Sequence, residues 1–125
     1  MFRQHSKLFG VAFVCLVATI APAQTKTASA TSYLERGNQW LKKGDVARAI
    51  EDFTFALSFD PLLDQAYFNR GMARERKGDT EGALSDYNKT LQLNSRNLEA
   101  YLRRGVFLIR QKEYDAALYD VNQAI

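Results

Sequence analysis

One short phrase recurs three times in this chain at a fixed spacing of 34 residues: Tyr33-Leu34-Glu35-Arg36-Gly37, Tyr67-Phe68-Asn69-Arg70-Gly71 and Tyr101-Leu102-Arg103-Arg104-Gly105. A second phrase keeps the same register: Ala49-Ile50-Glu51-Asp52-Phe53, Ala83-Leu84-Ser85-Asp86-Tyr87 and Ala117-Leu118-Tyr119-Asp120-Val121. Two motifs in phase over three periods exclude a single irregular core. A period of this length means stacked supersecondary units, each of which buries its apolar face only against its neighbours.

Each period holds two helical patterns. The first covers about 30–43, 64–77 and 98–111; the second ends near Ser58 and Leu93. Lys43-Gly44-Asp45 and Lys77-Gly78-Asp79 supply a left-handed residue to stop one helix and an Asp to cap the next. The third copy reads Lys112-Glu113-Tyr114-Asp115 and lacks the glycine. Asp60-Pro61 reads as an N-cap followed by proline in the first turn, with Asn94-Ser95 at the equivalent place. The expected fold is therefore all-α: an α-solenoid of three stacked helix-turn-helix hairpins in a short right-handed superhelix. The repeats span 30–63, 64–97 and 98–125, the last incomplete and without a capping helix.

The first 23 residues read differently. Arg3, His5 and Lys7 precede an uncharged, mostly apolar run from Leu8 to Ile20, and Ala21-Pro22-Ala23 is a small-x-small cleavage site. This is the pattern of a signal peptide, which makes the protein secreted or periplasmic with Gln24 as its first mature residue. A retained membrane anchor is the alternative, but a run of 13 residues falls short of the about 20 that a span needs. Residues 24–29, rich in Thr, Ala and Ser, read as a flexible linker. Cleavage removes the only His (His5) and the only Cys (Cys15), and with them any disulfide or Cys/His metal site. It leaves fifteen basic against fourteen acidic residues, a net charge of +1 that gives nucleic-acid binding no support. No cofactor is expected.

The two phrases resemble the tetratricopeptide-repeat (TPR) family, whose 34-residue pattern is aromatic-x2-Leu-Gly-x2-Tyr, then Ala-x3-Phe, then Pro. Tyr33, Gly37, Trp40, Ala49, Phe53 and Pro61 match in the first repeat. Tyr67, Gly71, Ala83 and Tyr87 match in the second, and Tyr101, Gly105 and Ala117 in the third. The family's leucine before the glycine is Arg36, Arg70 and Arg104 here. Trp40 gives way to Arg74 and then Leu108, and Phe53 to Val121 in the last copy. The physics of the residues agrees with such a fold. Gly37, Gly71 and Gly105 lie inside helices, where each costs about 1 kcal/mol against Ala, so their recurrence implies that a neighbouring helix comes close.

Without His and Cys, catalysis would rest on carboxylates, Lys, Tyr or Ser. Asp52, Asp86 and Asp120 recur with the repeat, so they form a row and not a cluster, and no enzyme is expected. The charges divide between layers instead. The first-helix segments carry ten basic and four acidic residues, and the chain from Gly44 onward outside them carries four basic and ten acidic. Each of Arg36, Arg70 and Arg104 has an Asp sixteen residues later on the antiparallel helix, which predicts an ion pair in every hairpin. The sequon Asn88-Lys89-Thr90 lies inside an expected helix and is read as chance.

The resemblance implies that first helices line a concave groove for extended peptides or partner helices. Offsets from the glycine place Thr31, Leu34, Glu35, Asn38, Leu41 and Lys42 there in the first repeat. Gln65, Phe68, Asn69, Met72, Glu75 and Arg76 follow in the second, and Glu99, Leu102, Arg103, Val106, Ile109 and Arg110 in the third. On this mapping Leu34, Phe68, Met72, Leu102, Val106 and Ile109 form an outward apolar strip, of the kind that marks a binding site. Lys42, Arg76 and Arg110 form a basic rail beside it. One subtype of the family clamps a peptide's terminal carboxylate with Lys, Asn, Asn, Lys and Arg. The matching positions here are Leu34, Asn38, Asn69, Glu99 and Arg103, so both lysines are lost and the full clamp is not expected. The expected function is an exported protein–protein interaction module, a scaffold or adaptor holding a protein or peptide partner. The competing expectation is assembly through the last repeat's face. There the array stops 28 residues into its 34-residue period, which is expected of a fragment of a longer array or of a last face covered by another molecule, a second copy of the chain among the candidates.

Overall fold

A computed structural model describes residues 22–125 of the chain. They form six helices: α1 (Pro22–Lys43), α2 (Val46–Phe59), α3 (Asp64–Lys77), α4 (Thr80–Leu93), α5 (Leu98–Arg110) and α6 (Tyr114–Ala124). α1 packs on α2, α3 on α4 and α5 on α6; α2–α3 and α4–α5 contacts join successive hairpins, and α1 also touches α3. This is the expected stack of three hairpins. The signal peptide expected over 1–23 lies outside the described residues except for Pro22 and Ala23.

The expected linker at 24–29 is instead the start of α1. Pro22 at the head of the helix suits an N-terminal turn, and no glycine follows until Gly37. The small hydroxyl residues satisfy themselves within the helix: Ser29 Oγ donates to the Thr25 carbonyl at 2.8 Å and Thr31 Oγ1 to the Thr27 carbonyl at 3.1 Å.

Turn chemistry sets the other boundaries. Gly44 and Gly78 adopt φ of 81° and 86° after the first helices, and Asp45 and Asp79 cap α2 and α4 by accepting from the amides of Arg48 and Gly82. Lys112 takes the same left-handed conformation, φ 63°, where the first two repeats have glycine. Glu113 then precedes α6 without a side-chain cap. The Asp60-Pro61 reading needs correction. Asp60 closes α2 and its carboxylate accepts from the Leu62 amide, so Asp60 and Pro61 form the turn, and α3 begins after Leu63 with no side-chain cap. In the next connection Asn97, and not Asn94, caps α5. Asn94 donates to Asp64 at 2.9 Å.

The apolar interior has two parts. One joins Leu34, Leu41, Ala49, Phe53, Ala56 and Leu57 to Ala66 and Ala73 of the next hairpin. The other joins Phe68, Ala83, Tyr87 and Leu91 to Ala100, Tyr101 and Phe107. Small residues let the aromatics in: a Cβ added at Gly37 would lie 2.6 Å from a Phe53 ring carbon, and one at Gly71 would lie 2.8 Å from Tyr87. At Gly105 the nearest atom is a Val121 methyl at 3.5 Å, an ordinary contact. The glycine logic of the sequence therefore holds in two repeats and relaxes in the third, where valine replaces the ring.

Candidate functional site on the first-helix face

The interhelical arginines fix the first helices against the second. Arg36 grips Asp52 with Nε and Nη2, both at 2.7 Å. Arg70 holds Asp86 at 3.0 and 2.8 Å. Arg104 holds Asp120 at 2.6 Å through both nitrogens. All three expected pairs form, each as a two-pronged fork. The carboxylates are 6 % exposed or less, while Arg36 is 55 % exposed against 14 % for Arg70 and 21 % for Arg104. The difference comes from the repeat before each arginine. Arg70 Nη1 also donates to Thr54 at 3.2 Å and Arg104 Nη1 to Asn88 at 2.8 Å, so each arginine ties its own hairpin to the preceding one. The sequon asparagine is thus occupied in a structural contact.

On the other side of the first helices, the expected groove residues separate into two classes. Leu34 and Phe68 were expected to face outward, and both are buried, at 8 % exposure each. Leu34 packs into the cluster that α3 closes, and Phe68 into the cluster that α5 closes. The following hairpin covers this stripe, so these positions serve inter-repeat packing. Leu41 is buried with Leu34 for the same reason. Their equivalents on α5, Leu102 and Ile109, have no described helix over them, nor has Val106 between them: the three are 46 to 49 % exposed and follow one helix face with Leu98. Met72 lies half-buried against the second cluster.

The polar groove positions bond to one another. Asn69, itself buried, donates through Nδ2 to Asn38 Oδ1 at 2.7 Å, which joins α3 to α1. Arg103 donates to Glu99 at 2.9 Å and to Glu75 at 3.1 Å, and lies 5.9 Å from the Phe68 ring centre. Glu75 also accepts from the hydroxyl of the fully buried Tyr87 at 2.7 Å. Burial first, and then this bond to a carboxylate, push the Tyr87 hydroxyl's pKa up from its ordinary value. Motif reading missed the Glu75–Tyr87–Arg103 chain, although Tyr87 at the position of Phe53 signalled that a hydroxyl would need a partner.

Lys42, Arg76 and Arg110 are exposed and form no ion pair with a described residue. Arg76 donates to the Leu41 carbonyl at 3.3 Å, and Arg110 lies 5.8 Å from the Phe107 ring centre. Thr31, Glu35, Gln65 and Glu99 are also exposed. The face therefore offers an apolar stripe on α5, a bonded asparagine pair and a basic edge. Among the described residues no group of three or more His, Cys, Asp or Glu side chains could hold a metal, and no helix is long and apolar enough to cross a membrane.

Comparison with known proteins accords with this architecture. A family model described as tetratricopeptide repeat matches residues 34–97 and again 69–125. The second such domain of Spaghetti (RPAP3), solved bound to the HSP90 peptide SRMEEVD, is 28% identical with a TM-score of 0.76, over 82% of this chain and 94% of that one. The TPR2B domain of yeast Sti1, solved in a complex with an Hsp70 ligand, is 26% identical with a TM-score of 0.72, over 78% of each chain. The Arabidopsis OM64 domain is 25% identical with a TM-score of 0.74, over 79% of this chain and 82% of that one. No curated protein sequence matches significantly.

Proposed function

The chain belongs to the tetratricopeptide-repeat family, and on that premise we propose that it is a protein-interaction module. It would hold an extended peptide or a partner helix against the face of its first helices. The single observation that carries this reading is the exposed stripe Leu102, Val106 and Ile109, on a first-helix face that also carries Arg110, which forms no ion pair with a described residue. Such a surface suits an amphipathic segment whose apolar ridge is edged with acids. The HSP90-peptide complex of the similar Spaghetti domain and the pHsp70 complex of the Sti1 domain support it.

The contacts differ from those of a carboxylate clamp. Leu34 is buried, Glu99 puts an acid where a lysine would be needed, and Arg103 is already held by Glu99 and Glu75. The reading therefore favours an internal or helical segment over a peptide's C-terminal carboxylate. Titration of the full chain with SRMEEVD and with an acidic amphipathic helix peptide tests it. The helix is expected to bind at least tenfold more tightly and to lose that affinity in Leu102→Glu. A tighter SRMEEVD complex, or helix binding unchanged by Leu102→Glu, overturns it.

A second reading rests on the same stripe. Leu34 and Phe68, the equivalents of Leu102, are covered by a following hairpin, so the stripe also suits a further helical hairpin, including one from a second copy. Sedimentation separates the two: a species that dissociates in Leu102→Glu favours assembly, and a monomer that still captures the helix peptide favours the groove.

We also propose export, supported by the basic start, the apolar run 8–20 and the Ala21-Pro22-Ala23 site. Mass spectrometry of the protein from its native cell is expected to find Gln24 at the N-terminus. Recovery of the intact N-terminus from the membrane fraction would favour the anchor.

A further inference from the structure

We propose that the cleft beside α4, between the second and third hairpins, is an anion site for a group of carboxylate or phosphate chemistry. It lies on the Arg–Asp side of the array, away from the stripe assigned to a protein partner. Its volume is about 690 Å³, and its walls include Tyr67, Arg70, Arg74, Lys89, Arg104 and Tyr119.

The charges in this cleft do not balance. Asp86 carries two guanidinium groups, Arg70 as a fork and Arg74 through Nη1 at 2.9 Å. Arg104 is matched by Asp120. Among the described residues Lys89 donates only to the neutral Gln92, at 3.2 Å. Asp79, half-exposed, lies 3.9 Å from Arg74 Nε. The walls of the cleft thus hold four cations and one carboxylate, Asp86, while Asp120 and Glu113 line the neighbouring cavity on the far side of Arg104. A partly enclosed excess of positive charge concentrates anions, and guanidinium and ammonium groups together suit oxyanions.

The first repeat provides an internal control, because it holds the same Arg–Asp fork in the same fold. Its positions equivalent to Arg74, Ser85 and Lys89 are Trp40, Glu51 and Phe55. Phe55 there stacks on Tyr33 with ring centres 5.4 Å apart, and Arg48 and Lys43 lie over Trp40 at 4.8 and 5.1 Å. In the second repeat all three positions shift charge in the positive direction, and a lysine replaces the ring that stacks on the tyrosine. The repeat architecture requires none of these changes, since the first repeat folds without them. They mark a local specialisation.

The test is an amide chemical-shift titration of the full chain at low salt with two probes, inorganic pyrophosphate and a hexaglutamate peptide. Saturable shifts are expected at Ser85, Asn88, Lys89 and Gln92. The variant Arg74→Trp/Lys89→Phe installs residues that the first repeat carries at the same positions, and circular dichroism checks that its fold is retained. It is expected to bind at least tenfold more weakly, while Leu102→Glu binds as the parent does. Preference for pyrophosphate identifies a free phosphate as the ligand, and preference for the peptide identifies acidic side chains of a protein. Absence of saturable shifts at these residues with both probes, or undiminished binding by the double variant, overturns the assignment.

Discussion

Adding one methyl group at equivalent glycines of the first and third repeats should have opposite effects. Ala is about 1 kcal/mol better than Gly inside a helix, so each Gly→Ala change begins with that gain. At Gly105 little opposes it, because the new Cβ would meet only a Val121 methyl at 3.5 Å and the Ala117 carbonyl at 3.6 Å. At Gly37 the Cβ would fall 2.6 and 2.8 Å from two Phe53 ring carbons, and Phe53 is fully buried. The ring or the helix must shift, and overpacking of this kind costs about 1–3 kcal/mol. Gly105→Ala should therefore stabilise by up to about 1 kcal/mol. Gly37→Ala should be neutral to destabilising by about 2 kcal/mol. One kcal/mol moves the melting temperature of a domain this size by about 4–8 °C, so thermal unfolding followed at 222 nm resolves the pair. Equal shifts in the same direction would show that side-chain packing around these glycines does not decide their presence.

Three further outcomes follow from single contacts. Lys112→Gly should raise stability by about 1 kcal/mol, because a left-handed φ costs a non-glycine residue roughly that much; no gain in the chemical-denaturation midpoint would place the strain elsewhere. Asp86→Ala should cost about 3–5 kcal/mol, since it strips two partly buried guanidiniums of their partner, whereas Asp52→Ala should cost nearer 1 because Arg36 is more than half exposed; reversed denaturation midpoints would refute this ordering. The raised Tyr87 pKa contributes stability that is full below about pH 10, the ordinary tyrosine value, and is lost as pH rises from there toward the folded-state value. Tyr87→Phe should cost about 1 kcal/mol at neutral pH and make alkaline unfolding shallower between pH 10 and 12; an unchanged profile would refute the link.

What was legible in the sequence was whatever repeats. The 34-residue period placed the hairpins, and the sixteen-residue offset from Arg to Asp placed three ion pairs that all form. The close helix approach implied by Gly37 and Gly71 was likewise readable, and the structure adds that Phe53 and Tyr87 fill it. What was not legible is what depends on neighbours of neighbours. Local composition marked 24–29 as a linker, but a run without glycine extends a helix that Tyr33 and Leu34 already anchor by packing. Asp60-Pro61 has the composition of a helix start, yet Asp60 spends its carboxylate on the Leu62 amide, and Leu63, not Asp60, precedes the helix.

The groove shows the limit most directly. Leu34, Phe68 and Leu102 are one position written three times, and a residue-by-residue mapping treats them alike. In the stack they differ, because a solenoid position is buried or exposed according to whether a next unit lies over it. Leu34 and Phe68 have one, and among the described residues none lies over Leu102. The same asymmetry acts in the opposite direction on the arginines. Arg70 and Arg104 gain Thr54 and Asn88 from the unit before them, while Arg36 remains the most exposed of the three. Function in this array is therefore to be sought where equivalent positions stop being equivalent. On one side that is the uncovered stripe of α5. On the other it is the second repeat, where Arg74 and Lys89 occupy places that the first repeat gives to aromatic rings.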